Sequence, residues 1–177
     1  MPHLRKSLLA IPLLAALGAC QTVYENAAEQ IGSATVMNAQ GNAIGTMRMY
    51  SLGGEVTMNA SFSGLTPGVH GVHLHTTGSC IAPDFTSAGG HLNPGNAEHG
   101  IQNPRGAHLG DLPNVTIGAD GTGTMSAVVR GTLSGVSNDL FDADGTAIVV
   151  HANADDYRTD PTGNAGGRAA CGVLSRG

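Results

Sequence analysis

Residues 55–63, EVTMNASFS, alternate without a break between the turns at Leu52-Gly53-Gly54 and Leu65-Thr66-Pro67-Gly68. Val56, Met58, Ala60 and Phe62 share one face, and Glu55, Thr57, Asn59 and Ser61 the other. Strand side chains alternate with period two, so this is an antiparallel strand with one face on a core and one in water. The rest of the chain repeats that unit in shorter pieces. Strands are expected at 33–38, 43–50, 69–78, 115–118, 122–130, 146–151 and 168–175, with 115–130 read as a hairpin around Ala119-Asp120-Gly121 and 131–144 as an irregular crossover. Only 12% of residues are charged and 3% aromatic, with 27 glycines and no tryptophan, a composition poor in helix-forming side chains and rich in turns. At 177 residues with no internal repeat, one all-β domain of sandwich or barrel type is expected.

Two segments do not fit a plain sandwich. Residues 77–111 and 152–167 are long, irregular and studded with Gly, Pro and Asn, and loops of that length are unusual inside a compact domain unless they are functional or disordered. The histidines point the same way. VHGVHLHTTG (69–78) holds three of the eight, and strand parity sends His73 and His75 to one face and His70 to the other. Further along lie His91, His99, His108 and His151, with Asp111 three residues after His108. Imidazole and carboxylate suit zinc, and several imidazoles suit copper(II). His91, His99, His108 and Asp111 share one loop and could enclose a small site, whereas His73, His75 and His151 sit on strands and need a fourth ligand. An imidazolate has two nitrogens and could serve both.

The N-terminus reads as an export signal, residues 1–19, with Arg5 and Lys6 ahead of an apolar run too short to span a bilayer. It ends in Leu17-Gly18-Ala19-Cys20, which resembles the bacterial lipobox; an ordinary secretory signal is the alternative. On the first reading Cys20 carries lipid, residues 20–32 form a tether, residues 33–177 form the domain, and Gln21 permits outer-membrane delivery from the periplasm. Without residues 1–19 the chain has six basic and thirteen acidic residues, a net charge of −7, and no lysine. No basic patch or aromatic platform is left to hold nucleic acid. Cys80 and Cys171 then remain as a pair in an oxidising compartment, and a disulfide is expected; two metal-binding thiolates are the alternative, without the close C-x-x-C spacing.

Five segments carry a resemblance. GLTPGVHGVHLHTTGSC (64–80), SAGGHLNP (87–94), HLGDLPN (108–114), VVHANADD (149–156) and GNAGGRAACGV (163–173) are similar, in this order, to the signature segments of copper/zinc superoxide dismutase. The resemblance implies an eight-stranded Greek-key β-barrel or sandwich of immunoglobulin-like architecture, with two long functional loops. It implies one copper per subunit on His73, His75, His91 and His151, and one zinc on His91, His99, His108 and Asp111, with His91 bridging. Arg168 corresponds to the arginine that attracts the anion, and Asp155 to the carboxylate linking a copper histidine to a zinc histidine. His70 corresponds to a structural histidine, and Cys80 and Cys171 to the intrasubunit disulfide. The implied reaction is dismutation of superoxide to oxygen and hydrogen peroxide by alternate reduction and oxidation of copper, with zinc-bound His91 as proton donor. A metal-binding module on the same barrel without turnover is the rival reading. Arg158 is the only other cation in residues 155–163, and a steering role is expected of it. Relatives pair through different faces or stay single, so a homodimer stays an open alternative.

Overall fold

The computed structural model describes residues 27–177, so the expected signal segment, Cys20 and the first part of the tether lie outside the described residues. Ten strands and one short α-helix follow in order, with a single 3-10 turn at Thr86–Ala88 in the loop after β5: β1 (Glu29–Asn38), β2 (Ala43–Leu52), β3 (Glu55–Phe62), β4 (Gly68–His70), β5 (Val72–His75), β6 (Val115–Ile117), β7 (Gly123–Val129), α1 (Leu133–Leu140), β8 (Ala147–His151), β9 (Arg168–Val173) and β10 (Ser175–Arg176). Eight of the strands form one curled sheet in the order β5-β8-β9-β1-β2-β3-β7, with β10 paired to β1, and β4 and β6 form a separate two-stranded ribbon. The strand-to-strand crossovers from β3 to β7 and from β5 to β8 make this the Greek-key β-barrel that was expected.

The alternating face of β3 points inward as the sequence requires, with Val56, Met58, Ala60 and Phe62 all buried. They pack with Val36, Met47, Met49, Leu74, Ile148 and Val150 in the main core. Each of these side chains larger than alanine stabilises the fold by roughly 1.5–3 kcal/mol when fully buried. Strand β8 is buried along its whole length, because its second face, Ala147 and Val149, lies under Phe85, Ala88 and Cys171. That explains its unbroken apolar run, since a strand covered on both faces has no water side to alternate with. The cover is stapled down by the Cys80–Cys171 disulfide, which closes a separation of 91 residues.

Four expectations about elements need correction. The first strand starts at Glu29, where the sequence reading had tether, because Glu29 and Gln30 pair with Ser51 and Tyr50 of β2. The expected hairpin at 115–130 is only a turn: β6 pairs with β4, while β7 pairs with β3 from Gly123 to Val129. The crossover contains α1, capped by the Thr132 side chain, which accepts from the Gly135 N–H and anchors Val136 and Leu140 in the core. The histidine strand breaks at Gly71, so His70 belongs to the ribbon and His73 and His75 to the large sheet. The parity that set His70 apart is thus realised as a change of sheet.

Candidate metal centre

Edge strand β5 is the platform of the site. Both limbs of the long loop 77–111 dock on it through backbone bonds: Thr76 N–H to Gly90 O at 3.0 Å, Leu92 N–H to Leu74 O at 2.8 Å and Leu74 N–H to Gly110 O at 2.9 Å. A side chain at Gly110 would run into the Leu74 carbonyl, so only glycine lets the second limb approach. Docking brings His91 opposite His75 and Asp111 opposite His73. On the far side, β8 ends in a register shift at Val150/His151 that pairs His151 with Arg168. Bulges of this kind re-aim a side chain at a sheet end, and here His151 joins the two β5 histidines.

The result is two donor sets sharing one residue. One ligand atom each from His73, His75, His91 and His151 can be chosen within 4.8 Å of one another, and likewise from His91, His99, His108 and Asp111. All seven residues are buried. The seven side chains thus lie together in two groups that have His91 in common.

The ring nitrogens facing away from the first set are occupied. His73 Nε2–H donates to Asp155 Oδ2 at 2.8 Å, His75 Nδ1–H to Gly89 O at 2.9 Å, and His151 Nδ1–H to Gly166 O at 3.2 Å. Carboxylate and carbonyl oxygens only accept, so these bonds fix each tautomer and leave a lone pair on the inward nitrogen. The inward atoms are His73 Nδ1, His75 Nε2, His91 Nε2 and His151 Nε2, and none has a hydrogen-bond partner. Buried polar atoms are ordinarily paired, so four converging lone pairs without donors describe a cation site.

The second set makes the same case differently. Asp111 Oδ1 lies 3.0 Å from His91 Nδ1, 3.0 Å from His99 Nδ1 and 3.1 Å from His108 Nδ1, while His91 Nδ1 and His108 Nδ1 are 3.3 Å apart. No placement of protons makes all of these contacts attractive, because N–H groups that satisfy the carboxylate repel each other. A cation at the centre satisfies all four. A tetrahedral zinc with ligands at about 2.0–2.2 Å has ligand atoms about 3.3–3.6 Å apart, close to the observed edges. The other carboxylate oxygen, Oδ2, accepts from Gly100 N–H at 2.8 Å and His108 N–H at 3.0 Å, which orients Asp111.

Electrostatics divides the sets. Burial pulls His73 down to about 4, His75 to about 2 and His151 to about 3, so all three are neutral rings at ordinary pH. For His99 burial also opposes the charge, but Asp111 and Asp155 outweigh it and lift the ring to about 9. The second set thus holds negative charge that asks for a cation, and in the metal-free protein a proton on His99 answers it.

Asp155 ties the sets together, with Oδ2 on His73 and Oδ1 on His99 Nε2 at 3.0 Å. Arg168 stands at the rim, partly exposed, donating to Phe85 O and Gly89 O, each at 2.6 Å. Gly89 O also receives His75, so the disulfide-bonded loop fixes the guanidinium and a ring of the first set through one carbonyl. Arg158 is exposed and donates to Gln102 Oε1 at 3.0 Å and Gln102 O at 3.4 Å. His70 donates to no ligand atom; its nitrogens lie 2.7 Å from His151 O and 2.8 Å from Thr66 O. The sequence reading missed Asn114 and Tyr157, which grip Asp155 from behind; neither offers a metal donor, so no ligand pattern singles them out.

A model of the copper/zinc superoxide dismutase family (SODC) matches residues 31–174. The chain belongs to the copper/zinc superoxide dismutase family. Among similar proteins, the superoxide dismutase-like protein YojM of Bacillus subtilis is 43% identical over 143 residues, covering 78% of this chain and 73% of the relative. The copper/zinc superoxide dismutase of Caulobacter vibrioides is 42% identical over 146 residues, covering 80% and 84%. The crystal structure of a SOD-like protein from Bacillus subtilis superposes with a TM-score of 0.72 at 39% identity, covering 81% of this chain and 97% of that one. The family is one of oxidoreductases using copper and zinc, and the two donor sets of this superoxide dismutase family member have the chemistry for those metals.

Proposed function

We propose that the protein converts two superoxide anions and two protons to oxygen and hydrogen peroxide, with copper on His73, His75, His91 and His151 and zinc on His91, His99, His108 and Asp111. The observation that carries the reading is the position of His91: its Nδ1 sits in the second donor set and its unpartnered Nε2 in the first. Copper supplies one-electron exchange with superoxide, and zinc supplies fixed positive charge without redox chemistry. His91 would keep Nδ1 anchored in the zinc set throughout and take up a proton on Nε2 only when that nitrogen is free of the copper, giving it up as hydrogen peroxide leaves. Arg168, held on two carbonyls beside His75, draws the anion in and orients it. Asp155 keeps His73 and His99 in the tautomers that present lone pairs inward.

An assay of superoxide removal by the metal-loaded protein, with copper and zinc content measured in parallel, tests the reading. Both metals bound with no turnover would instead favour the metal-binding module, the reading that a relative named only superoxide dismutase-like keeps in play. Arg158 is proposed as a second attractor for the anion, and an Arg158→Ala variant with unchanged rate constant and unchanged salt dependence would refute that. The chain is further proposed to be exported to the periplasm, to lose residues 1–19 and to be held at the membrane by lipid on Cys20. The Cys80–Cys171 disulfide supports an oxidising compartment. Mass spectrometry of the mature N-terminus tests the anchor: an unmodified cleavage product would rule it out.

A further inference from the structure

Asp155 is held from behind by two residues that bind no metal. Asn114 grips its backbone on both sides of the Cα, with Nδ2–H donating to Asp155 O and Oδ1 accepting from Asp155 N–H, each at 2.9 Å. Asn114 is in turn fixed by Tyr157, whose hydroxyl oxygen accepts the Asn114 N–H at 2.7 Å. The Tyr157 N–H returns to the same carboxylate, donating to Asp155 Oδ1 at 2.6 Å. Its carbonyl accepts from Gln102 N–H at 3.1 Å, in the loop that carries His99 and His108. A side chain on Gly100 would strike that carbonyl, so loop and tyrosine are in direct backbone contact there. Tyr157 holds this position with φ at 64°, a left-handed conformation that a tyrosine adopts only where its surroundings impose it.

We infer that Tyr157 is a positioning residue for the zinc side of the site, its hydroxyl setting Asp155, and through it His99 and His73, by way of Asn114. The inference rests on the zinc assignment proposed above. One residue contacts the relay carboxylate, the residue clamping that carboxylate, and the loop bearing the zinc donors. Loss of the hydroxyl leaves the Asn114 N–H without its acceptor and lets the Asp155 peptide shift, which loosens the imidazole that Asp155 orients. Outer partners of metal ligands ordinarily affect affinity about 10–100-fold, and one bond further out places Tyr157 at the lower end of that range.

The test is Tyr157→Phe in the metal-loaded protein, which removes one oxygen and keeps the ring. Zinc transfer to a chromophoric chelator at 25 °C should be about tenfold faster, and the visible spectrum of cobalt(II) placed in the zinc set should shift, with copper content unchanged. Asn114→Asp, which keeps the acceptor for Asp155 N–H and loses the donor to Asp155 O, should move both readouts the same way. Zinc release and cobalt spectrum equal to wild type would overturn the inference, as would a lowered melting temperature with zinc release at 25 °C unmoved, since that marks a merely structural role. If cobalt in the wild-type protein is insensitive to His108→Ala, the zinc assignment itself falls and the inference with it; a normal wild-type response beside an inert Tyr157→Phe sinks the inference alone.

Discussion

Asp155 touches both donor sets with one carboxylate, so its charge and its shape can be separated by substitution. Asp155→Asn keeps the volume but replaces one acceptor oxygen with an NH2 group, which faces an imidazole N–H on His73 or His99. That ring must turn or change tautomer and point a proton inward. Zinc affinity should fall about 10–100-fold by chelator competition, while the far-UV circular dichroism stays that of the parent. Arg168 acts on the anion and not on the metals, so its removal should appear elsewhere. For Arg168→Ala, metal content should hold, while kcat/KM drops by about tenfold or more and its dependence on ionic strength flattens, because salt screens attraction between charges. A retained salt slope would mean that the anion is drawn in by something other than this guanidinium.

At the scale of elements, the two long loops act as one part because each fills gaps left by glycine in the other. Gly163, with φ at +63°, has the Asp155 carboxylate and His99 Nε2 where a Cβ would go. Gly163→Ala should expel Asp155 from between its two histidines, so zinc is lost while the β2–β3–β7 part of the sheet, remote from the loop in pairing, keeps its amide protection in hydrogen exchange. The disulfide serves the same assembly from the other side. Reducing Cys80–Cys171 opens a 91-residue closure, with a loss of ~4–5 kcal/mol in the chain-entropy account, and frees the carbonyls that hold Arg168. Thermal denaturation with and without reductant should show the loss, and the reduced protein should also lose catalytic rate below its melting range.

These loops also mark the limit of what the sequence discloses. The two donor sets were legible because the chemistry of a metal donor resides in side-chain identity, and His73, His75, His91, His99, His108, Asp111 and His151 need only be the right residues in the right order. The strands were legible where one face meets water, as in β3, and their punctuation was readable at Gly53-Gly54 and Pro67-Gly68. Helix α1 was hidden because Ser, Gly, Asn and Asp dominate it, and its stability comes from burying Val136 and Leu140, not from propensity. The supposed 115–130 hairpin failed because neighbours in sequence need not pair: the turn at Gly118–Thr122 is tight, with Gly118 N–H on Thr122 O at 2.8 Å, yet the strands leaving it serve different partners. Asn114 and Tyr157 were out of reach for a deeper reason, since their role exists only once loops 41 and 43 residues apart in sequence have closed on each other.

For the whole molecule, the buried histidines couple folding, protons and metal. His73, His75 and His151 have folded-state values of about 4, 2 and 3, all depressed by burial from an ordinary 6.5. A depressed folded value means that the associated stability is complete above pH 6.5 and is lost as pH falls from there toward the folded values, because the unfolded chain takes up protons that the native site refuses. Each ring contributes at most ~1.4 kcal/mol per pH unit to that slope. His99 has the opposite sign: raised to about 9, it stabilises the metal-free fold fully below pH 6.5 and loses that contribution as pH climbs through 9. The metal-free protein should therefore be most stable near neutrality, with denaturant midpoints falling on both sides and more steeply on the acid side, where these three rings and His108, which burial also lowers, act against one. Copper binding follows from the same values. A free imidazole loses affinity below pH 6.5 because protons compete for its lone pair, but His73, His75 and His151 are already stripped of that proton by burial. Competitive titration with a chelator between pH 6.5 and 4.5 should find copper affinity falling far less steeply than that of a histidine-rich peptide over the same range, since three of the donor rings hold no proton to displace. Parallel slopes for protein and peptide would show that the site is not held dry and neutral before the metal arrives.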